Sequence, residues 1–410
     1  MGEGAMRWLG VLGLAMLAAA CNPAAKSADT TAKPAAECDL KAVSASAAEA
    51  AMGGCGAKWI DANVRINQLQ SVGTHNSYKV KIPDVELALI REHNPDAALT
   101  LDYEHETLAG QLDKGARQIE LDPSDDPRGG MFSHPLGRKI LTGRGVKLED
   151  YDLSPMDKPG LKVIHVTDID YRSHCLLFVD CLKQVKDWSD AHPGHAPILL
   201  MINPKSSGIS WPGAAKVLPW GKDAFERMEA EIRSVFPIDR IITPDEVKGT
   251  HATLREAVMA NDGNGGWPTL GKARGRVMFA MDLSPEDNAP YAEGHPSLAG
   301  RVAFMTTFPD APEAAYFTMN EPLKDGDLIR QRVAQGFLIR TRADADTREA
   351  RSGDTARREA AFASGAQFVS TDYQDPDPRF KTGYSVKLPG GGVSRCNPVN
   401  APKGCDLKAE

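Results

Sequence analysis

A few side chains stand out by type and spacing as able to do chemistry together. His75 and Asn76 follow an apolar run in QSVGTHNSYKV, residues 70–80. Glu120 and Asp122 lie two apart in RQIELD, and side chains two apart on a strand share a face, so both carboxylates can point the same way. His134 follows in the glycine-bearing loop DDPRGGMFSHPLG, Asn203 and Lys205 end PILLMINPK, and Arg340 and Arg342 close GFLIRTR. Two like charges held together invite a cation. Oxygen donors from Asn76, Glu120, Asp122 and Asn203 suit calcium, and magnesium less well, whereas zinc prefers nitrogen and sulfur. Histidines titrate near neutral pH and can act as general base and general acid beside such an ion. Lys205 and Arg340 offer positive charge to a phosphoryl oxygen as its own charge grows. Each feature has a plainer reading alone: a His-Asn pair caps a loop, a Glu-x-Asp pair forms a structural salt bridge, and the two arginines pair with Asp344 and Asp346.

Their shared position in the fold decides between these readings. From about residue 59 short apolar runs alternate with amphipathic stretches. Strands are expected at 66–72, 117–122, 161–166, 197–202, 276–282, 301–307, 336–341 and 367–372. Helical spacing runs through ETLAGQLDKG, HCLLFVDCLKQVKDWSDAH, DAFERMEAEIRSVF, DLIRQRVAQ and TREARSGDTARREAAFASG. The turn-rich stretch 204–275 reads as excursions around an extra helical pair. Strand-helix alternation of this length implies a parallel sheet closed into an α/β (β/α)8 barrel of the TIM type with insertions. In such barrels chemistry sits at the carboxyl ends of the strands, where His75, Glu120, Asp122, Asn203 and Arg340 all fall.

The ends of the chain follow other rules. Arg7, the apolar run WLGVLGLAMLAAA and then Cys21 have the layout of an export signal, residues 1–21, whose apolar run is too short to span a bilayer. Cys21 after the small-residue tract is expected to be lipidated, which would make the protein an outer-membrane or cell-surface lipoprotein, and otherwise periplasmic or secreted. Residues 22–58 read as a flexible linker, 59–385 as the barrel and 386–410 as a cysteine-containing tail. Setting Cys21 aside leaves Cys38, Cys55, Cys175, Cys181, Cys396 and Cys405, whose grouping suggests local disulfides 38/55, 175/181 and 396/405 among 15 possible connectivities. A formal charge of -7 gives no basic footprint for nucleic acid, and a monomer is expected.

GTHNSY, then IELD about 45 residues on, then a histidine 12 residues after Asp122, resemble the catalytic half of the phosphatidylinositol-specific phospholipase C barrel, in its bacterial calcium-dependent branch. FLIRTRADADTREARSGDTARREAAFASGAQFVSTDY is similar to the same branch, and the likeness covers roughly 60–385. The resemblance implies that His75 stabilises the phosphoryl group, that Asn76, Glu120 and Asp122 bind calcium, and that His134 protonates the leaving alcohol. It implies a phospholipid substrate at a membrane surface, with Glu120 or a histidine as base and diacylglycerol and a cyclic inositol phosphate as products. Where animal members carry a further glutamate ligand this chain has Asn203, so either Asn203 or Asp168 and Asp170 would complete the metal site. The rivals are a glycerophosphodiester phosphodiesterase, which usually opens with His-Arg-Gly, and a non-catalytic lipoprotein that binds phosphorylated ligands.

If Cys21 is lipidated, an inhibitor of lipoprotein signal processing should leave a larger precursor. Thiol labelling of the denatured, unreduced mature protein should then find none of the other six cysteines free. A cytoplasmic, fully thiol-reactive protein would contradict both.

Overall fold

A computed structural model describes residues 55–403 and 405. Cys21, Cys38 and the signal and most of the linker lie outside the described residues. A helix begins at Cys55, within the expected linker 22–58, and runs on to Asn63 in the expected barrel.

Eleven strands are found among the described residues: β1 Leu69–Thr74, β2 Gln118–Leu121, β3 Pro123–Ser124, β4 Lys162–Val163, β5 Ile198–Ile202, β6 Val277–Met281, β7 Ala303–Met305, β8 Tyr316–Thr318, β9 Leu338–Arg342, β10 Phe368–Thr371 and β11 Ser394–Cys396. Eight of them run parallel in the order β7-β6-β5-β2-β1-β10-β9-β8, which is sequence order around a nearly closed barrel open between β7 and β8. The two central strands, ILLMI and VMFAM, are buried at every residue, as a parallel strand covered on both faces must be.

Two expectations about the strands are corrected. The run 161–166 supplies only β4, which pairs antiparallel with β3 in a separate two-stranded sheet. Its apolar residues Leu161, Val163 and Ile164 are buried, so the run reports burial rather than membership of the barrel. The missing barrel strand is β8, three residues long and too short to give a periodic signal. Residues 394–396, expected in a tail, pair antiparallel with β1 at Leu69, Gln70 and Ser71.

The helical stretches form as Leu108–Asp113, Phe178–Ala191, Lys222–Val235 and Pro322–Ala334. The last stretch breaks into Arg348–Ser352 and Ala356–Ser364, because Gly353 adopts φ 76° and ends the first helix. The excursion 204–275 holds Lys222–Val235 and three shorter helices, Pro244–Lys248, Leu254–Ala260 and Leu270–Ala273, rather than one pair. Cys175 is bonded to Cys181 and Cys396 to Cys405. No helix among the described residues is long and apolar enough to cross a membrane.

β1 and β2 share a single register pair, Gly73 with Gln118. The Gln118 side chain lies across Gly73 and donates from Nε2 to Thr74 O at 3.0 Å. A methyl group at Gly73 would stand 2.5 Å from Gln118 Cβ and 2.2 Å from its Oε1. Gly73→Ala is therefore expected to push β1 and β2 apart, costing about 1–3 kcal/mol as overpacking does, read as a lower urea midpoint at unchanged m-value.

Candidate active site

His75 and Asn76 leave β1 in a tight turn. Asn76 takes φ 48°, in the left-handed region that asparagine enters more readily than most residues. Ser77 fastens this turn to β2: its hydroxyl accepts from the Glu120 N–H at 2.8 Å, and its own N–H donates to Glu120 O at 3.1 Å. Asn76 donates from Nδ2 to the Tyr103 hydroxyl at 2.8 Å, which leaves its Oδ1 buried with no partner.

His75 is held between strand ends. Its Nδ1 lies 2.7 Å from Asp372 Oδ1, one residue beyond β10, and Asp372 Oδ2 accepts from Arg342 Nη2 at 3.0 Å. An imidazole nitrogen facing a carboxylate carries the proton, so Nε2 keeps its lone pair. That nitrogen faces Arg342 Nη1 at 3.4 Å and Glu120 Oε1 at 3.8 Å. Burial, then the charge of Arg342, hold the His75 pKa well below its ordinary value against the pull of Asp372. His75 is thus neutral near pH 7, with the lone pair of Nε2 free at the mouth.

The two carboxylates of β2 are both present and both buried. Glu120 Oε2 accepts from Arg340 Nη2 at 2.6 Å, and Asp122 Oδ2 lies 2.8 Å from Lys205 Nζ. Burial foremost pushes the Glu120 carboxyl up to about 8, with Arg340 opposing and Asp122 and Asp282 adding to the rise. Asn203, assigned from its neighbours, turns its amide oxygen to Lys205 Nζ at 2.9 Å and its nitrogen to Asp282 O at 3.3 Å. Arg340, expected at the substrate, has a side chain only 1% exposed and is spent on Glu120, Asn320 and Ser370. Arg342 takes the place beside His75.

His134 is exposed on its loop and forms no hydrogen bond or ion pair with the residues above. A different histidine lines up with them. The Ile164 N–H donates to Asp122 O at 3.3 Å, laying His165 alongside the end of β2. His165 Nδ1 lies 2.8 Å from Asp170 Oδ2, and that oxygen also accepts from Lys79 Nζ at 2.6 Å. The dyad repeats the His75 arrangement: a buried carboxylate shared between an imidazole and a cation. Burial foremost, then the charge of Asp122 and, further down, of Asp170, push the Tyr78 hydroxyl well above its ordinary pKa.

Asp170 meets His165 and Lys79 through Oδ2, while its Oδ1 is buried without a hydrogen-bond partner. Asp168, at φ 73°, accepts the backbone N–H of Leu136 and of Ala215, both at 2.8 Å, and so staples the His134 loop to the loop after β5. No group of three or more His, Cys, Asp and Glu among the described residues is arranged to hold a metal ion. The donor set that fits calcium depends on an amide. Asn76 Oδ1 and Asp122 Oδ1 are buried oxygens without hydrogen-bond partners, the state in which a hard cation finds its ligands, and Glu120 lies beside them.

Asp372 and His165 escaped the sequence reading, although both lie at the ends of expected strands. The rule that drew attention to His75, a polar residue directly after an apolar run, applies equally to LKVIHV and QFVSTD. Tyr103, in the short connection between the helices Pro95–Thr100 and Leu108–Asp113, carried no such signal.

A search of curated proteins found no match. Among solved structures, one crystal form of a calcium-dependent phosphoinositol-specific phospholipase C from a Gram-negative bacterium, Pseudomonas sp., in its apo form, superposes with a TM-score of 0.50 at 16% identity, covering 82% of this chain and 96% of that one. A Ca2+-dependent phosphatidylinositol-specific phospholipase C from Streptomyces antibioticus gives 0.46 at 22% identity, covering 75% and 95%. The first likeness speaks for the barrel fold. The family described as phosphoinositide phospholipase C, Ca2+-dependent, matches residues 64–398, a span that takes in every strand of the barrel together with β11. The chain belongs to the calcium-dependent phosphoinositide phospholipase C family.

Proposed function

We propose that the protein is a calcium-dependent phosphodiesterase that cleaves phosphatidylinositol to diacylglycerol and a cyclic inositol phosphate. The observation that carries this reading is the pair of histidine-carboxylate dyads, His75 with Asp372 and His165 with Asp170, set around the β2 carboxylates. Asn76, Glu120 and Asp122 would hold the ion, which when bound supplies positive charge for a phosphoryl oxygen. His75 Nε2 accepts the proton of the inositol hydroxyl next to the phosphodiester, and Asp372 steadies the imidazolium that results. This departs from the phosphoryl-stabilising role the resemblance implied, because a nitrogen with a lone pair cannot donate to that oxygen. Arg342 and Lys205 are the cations placed to meet the growing charge. His165, kept in a fixed orientation by Asp170, gives its proton to the departing diacylglycerol oxygen, the part expected of His134. What supports export is the Cys21 context together with the disulfides Cys175–Cys181 and Cys396–Cys405.

The test is release of cyclic inositol phosphate from phosphatidylinositol, with and without a calcium chelator, beside phosphatidylcholine and glycerophosphodiesters. Turnover of phosphatidylinositol alone, lost on chelation, is expected. Turnover of glycerophosphodiesters alone would favour the rival phosphodiesterase, and no turnover of any would favour a binding protein.

His75→Ala is expected to lower kcat by roughly 10²–10⁴, with little change in KM. His165→Ala should lose as much on phosphatidylinositol yet recover in part on an analogue whose leaving group needs no proton, a rescue His75→Ala should not show. His134→Ala should keep most of its activity; a loss that follows the leaving group in this variant instead would return the acid role to His134.

Asp122→Asn removes charge without volume. It should raise the calcium concentration needed for half-maximal activity, with excess calcium restoring part of the rate and the melting temperature nearly unmoved. An unchanged calcium response would make Asp122 a structural partner of Lys205 only.

A further inference from the structure

Glu120 and Asp122 are both neutralised within the protein, but by cations held in different ways. Arg340 is 1% exposed and bonded to Glu120, Asn320 and Ser370, so it has nowhere to go. The Lys205 side chain is 24% exposed. Its ammonium stands 2.8 Å from Asp122 Oδ2 and 2.9 Å from the Asn203 amide oxygen. The Lys205 backbone is fixed independently: its N–H donates to Pro123 O at 2.9 Å, and its carbonyl accepts from Trp220 Nε1 at 3.0 Å. The four-carbon stem can therefore swing while the chain stays in place. The two oxygens that face Lys205 Nζ, from Asp122 and Asn203, are donors of the kind calcium takes.

We propose that Lys205 is a displaceable counter-cation: it neutralises Asp122 when no metal is present, leaves Asp122 when calcium binds, and then turns to the phosphoryl group of the substrate. This rests on the calcium reading above. A buried carboxylate without a counter-charge is costly, which gives the ammonium its place in the metal-free protein. Two cations on one carboxylate repel, which gives it reason to leave. Because the freed charge then serves the substrate, calcium and a phosphorylated ligand should bind cooperatively, and by linkage each should tighten the other equally.

The experiment is calorimetric titration of the folded mature protein with calcium alone, and with inositol 1-phosphate in the presence and absence of calcium. Lys205→Met keeps the length of the side chain and removes its charge, and Lys205→Gln serves as a second neutral variant should the first fold poorly. Both are expected to bind calcium on the order of 10-fold tighter than the wild type, since a competing unit charge is gone. In both, calcium should tighten inositol 1-phosphate less than it does in the wild type, because only the direct share of the coupling remains. Calcium binding in the wild type with equal or weaker binding in the neutral variants would overturn the proposal and leave the calcium reading standing. No calcium binding by the folded wild type or by either variant would take down the calcium reading, and this proposal with it.

Discussion

Four carboxylates buried around the end of the parallel barrel are each given a positive partner, and those pairs organise the mouth of this protein. Glu120 has Arg340, Asp122 has Lys205, Asp372 has Arg342, and Asp170 has Lys79. Each of those cations comes from a different stretch of chain than the acid it serves, so the pairs tie β2 to β5 and β9, β9 to β10, and the turn after β1 to the segment after β4. A buried charge left alone would cost several kcal/mol. Removing any one of these cations therefore disturbs the site through the acid it abandons as well as through its own absence.

Both histidines of the site are built on the same plan. In each, the carboxylate that orients Nδ1 also accepts from a cation, Arg342 for Asp372 and Lys79 for Asp170. The surroundings then separate them. Burial and then the charge of Arg342, which faces His75 across its free nitrogen as well as bonding to Asp372, hold the His75 pKa low, whereas Lys79 meets the second dyad at its carboxylate.

The fold was legible because strands covered on both faces read as unbroken apolar runs, as PILLMI and RVMFAMD do. The same signal misled at LKVIHV, where an equally apolar run is buried in a separate small sheet, and it was silent at Tyr316–Thr318, which is too short to show a period. Of the site, His75 and Asn76 could be picked out because they stand together directly after an apolar run, and Glu120 and Asp122 because they lie two apart on an expected strand. The partner of His75 could not: Asp372 is 297 residues away, and only closure of the barrel brings the two together. His165 was hidden in another way, inside a run whose apolar character drew all the attention to packing. Glycine at 73 carried information as well, since the side chain of Gln118 needs the space that a methyl group would fill.

β1 is among the first strands in the chain, yet its partners are among the last. Its upper half pairs with β10 and its lower half with β11, and the Ser71 and Ser394 hydroxyls meet at 2.8 Å across 323 residues of sequence. Pairings that distant are slow to form, because the entropy of closing so long a loop must be met before any contact rewards it. A growing chain cannot seat the strand that carries His75 until nearly all of it has been made. The barrel is thus completed late, and a nascent or C-terminally shortened polypeptide would remain an open, unfinished sheet whose first strand lacks both of these neighbours.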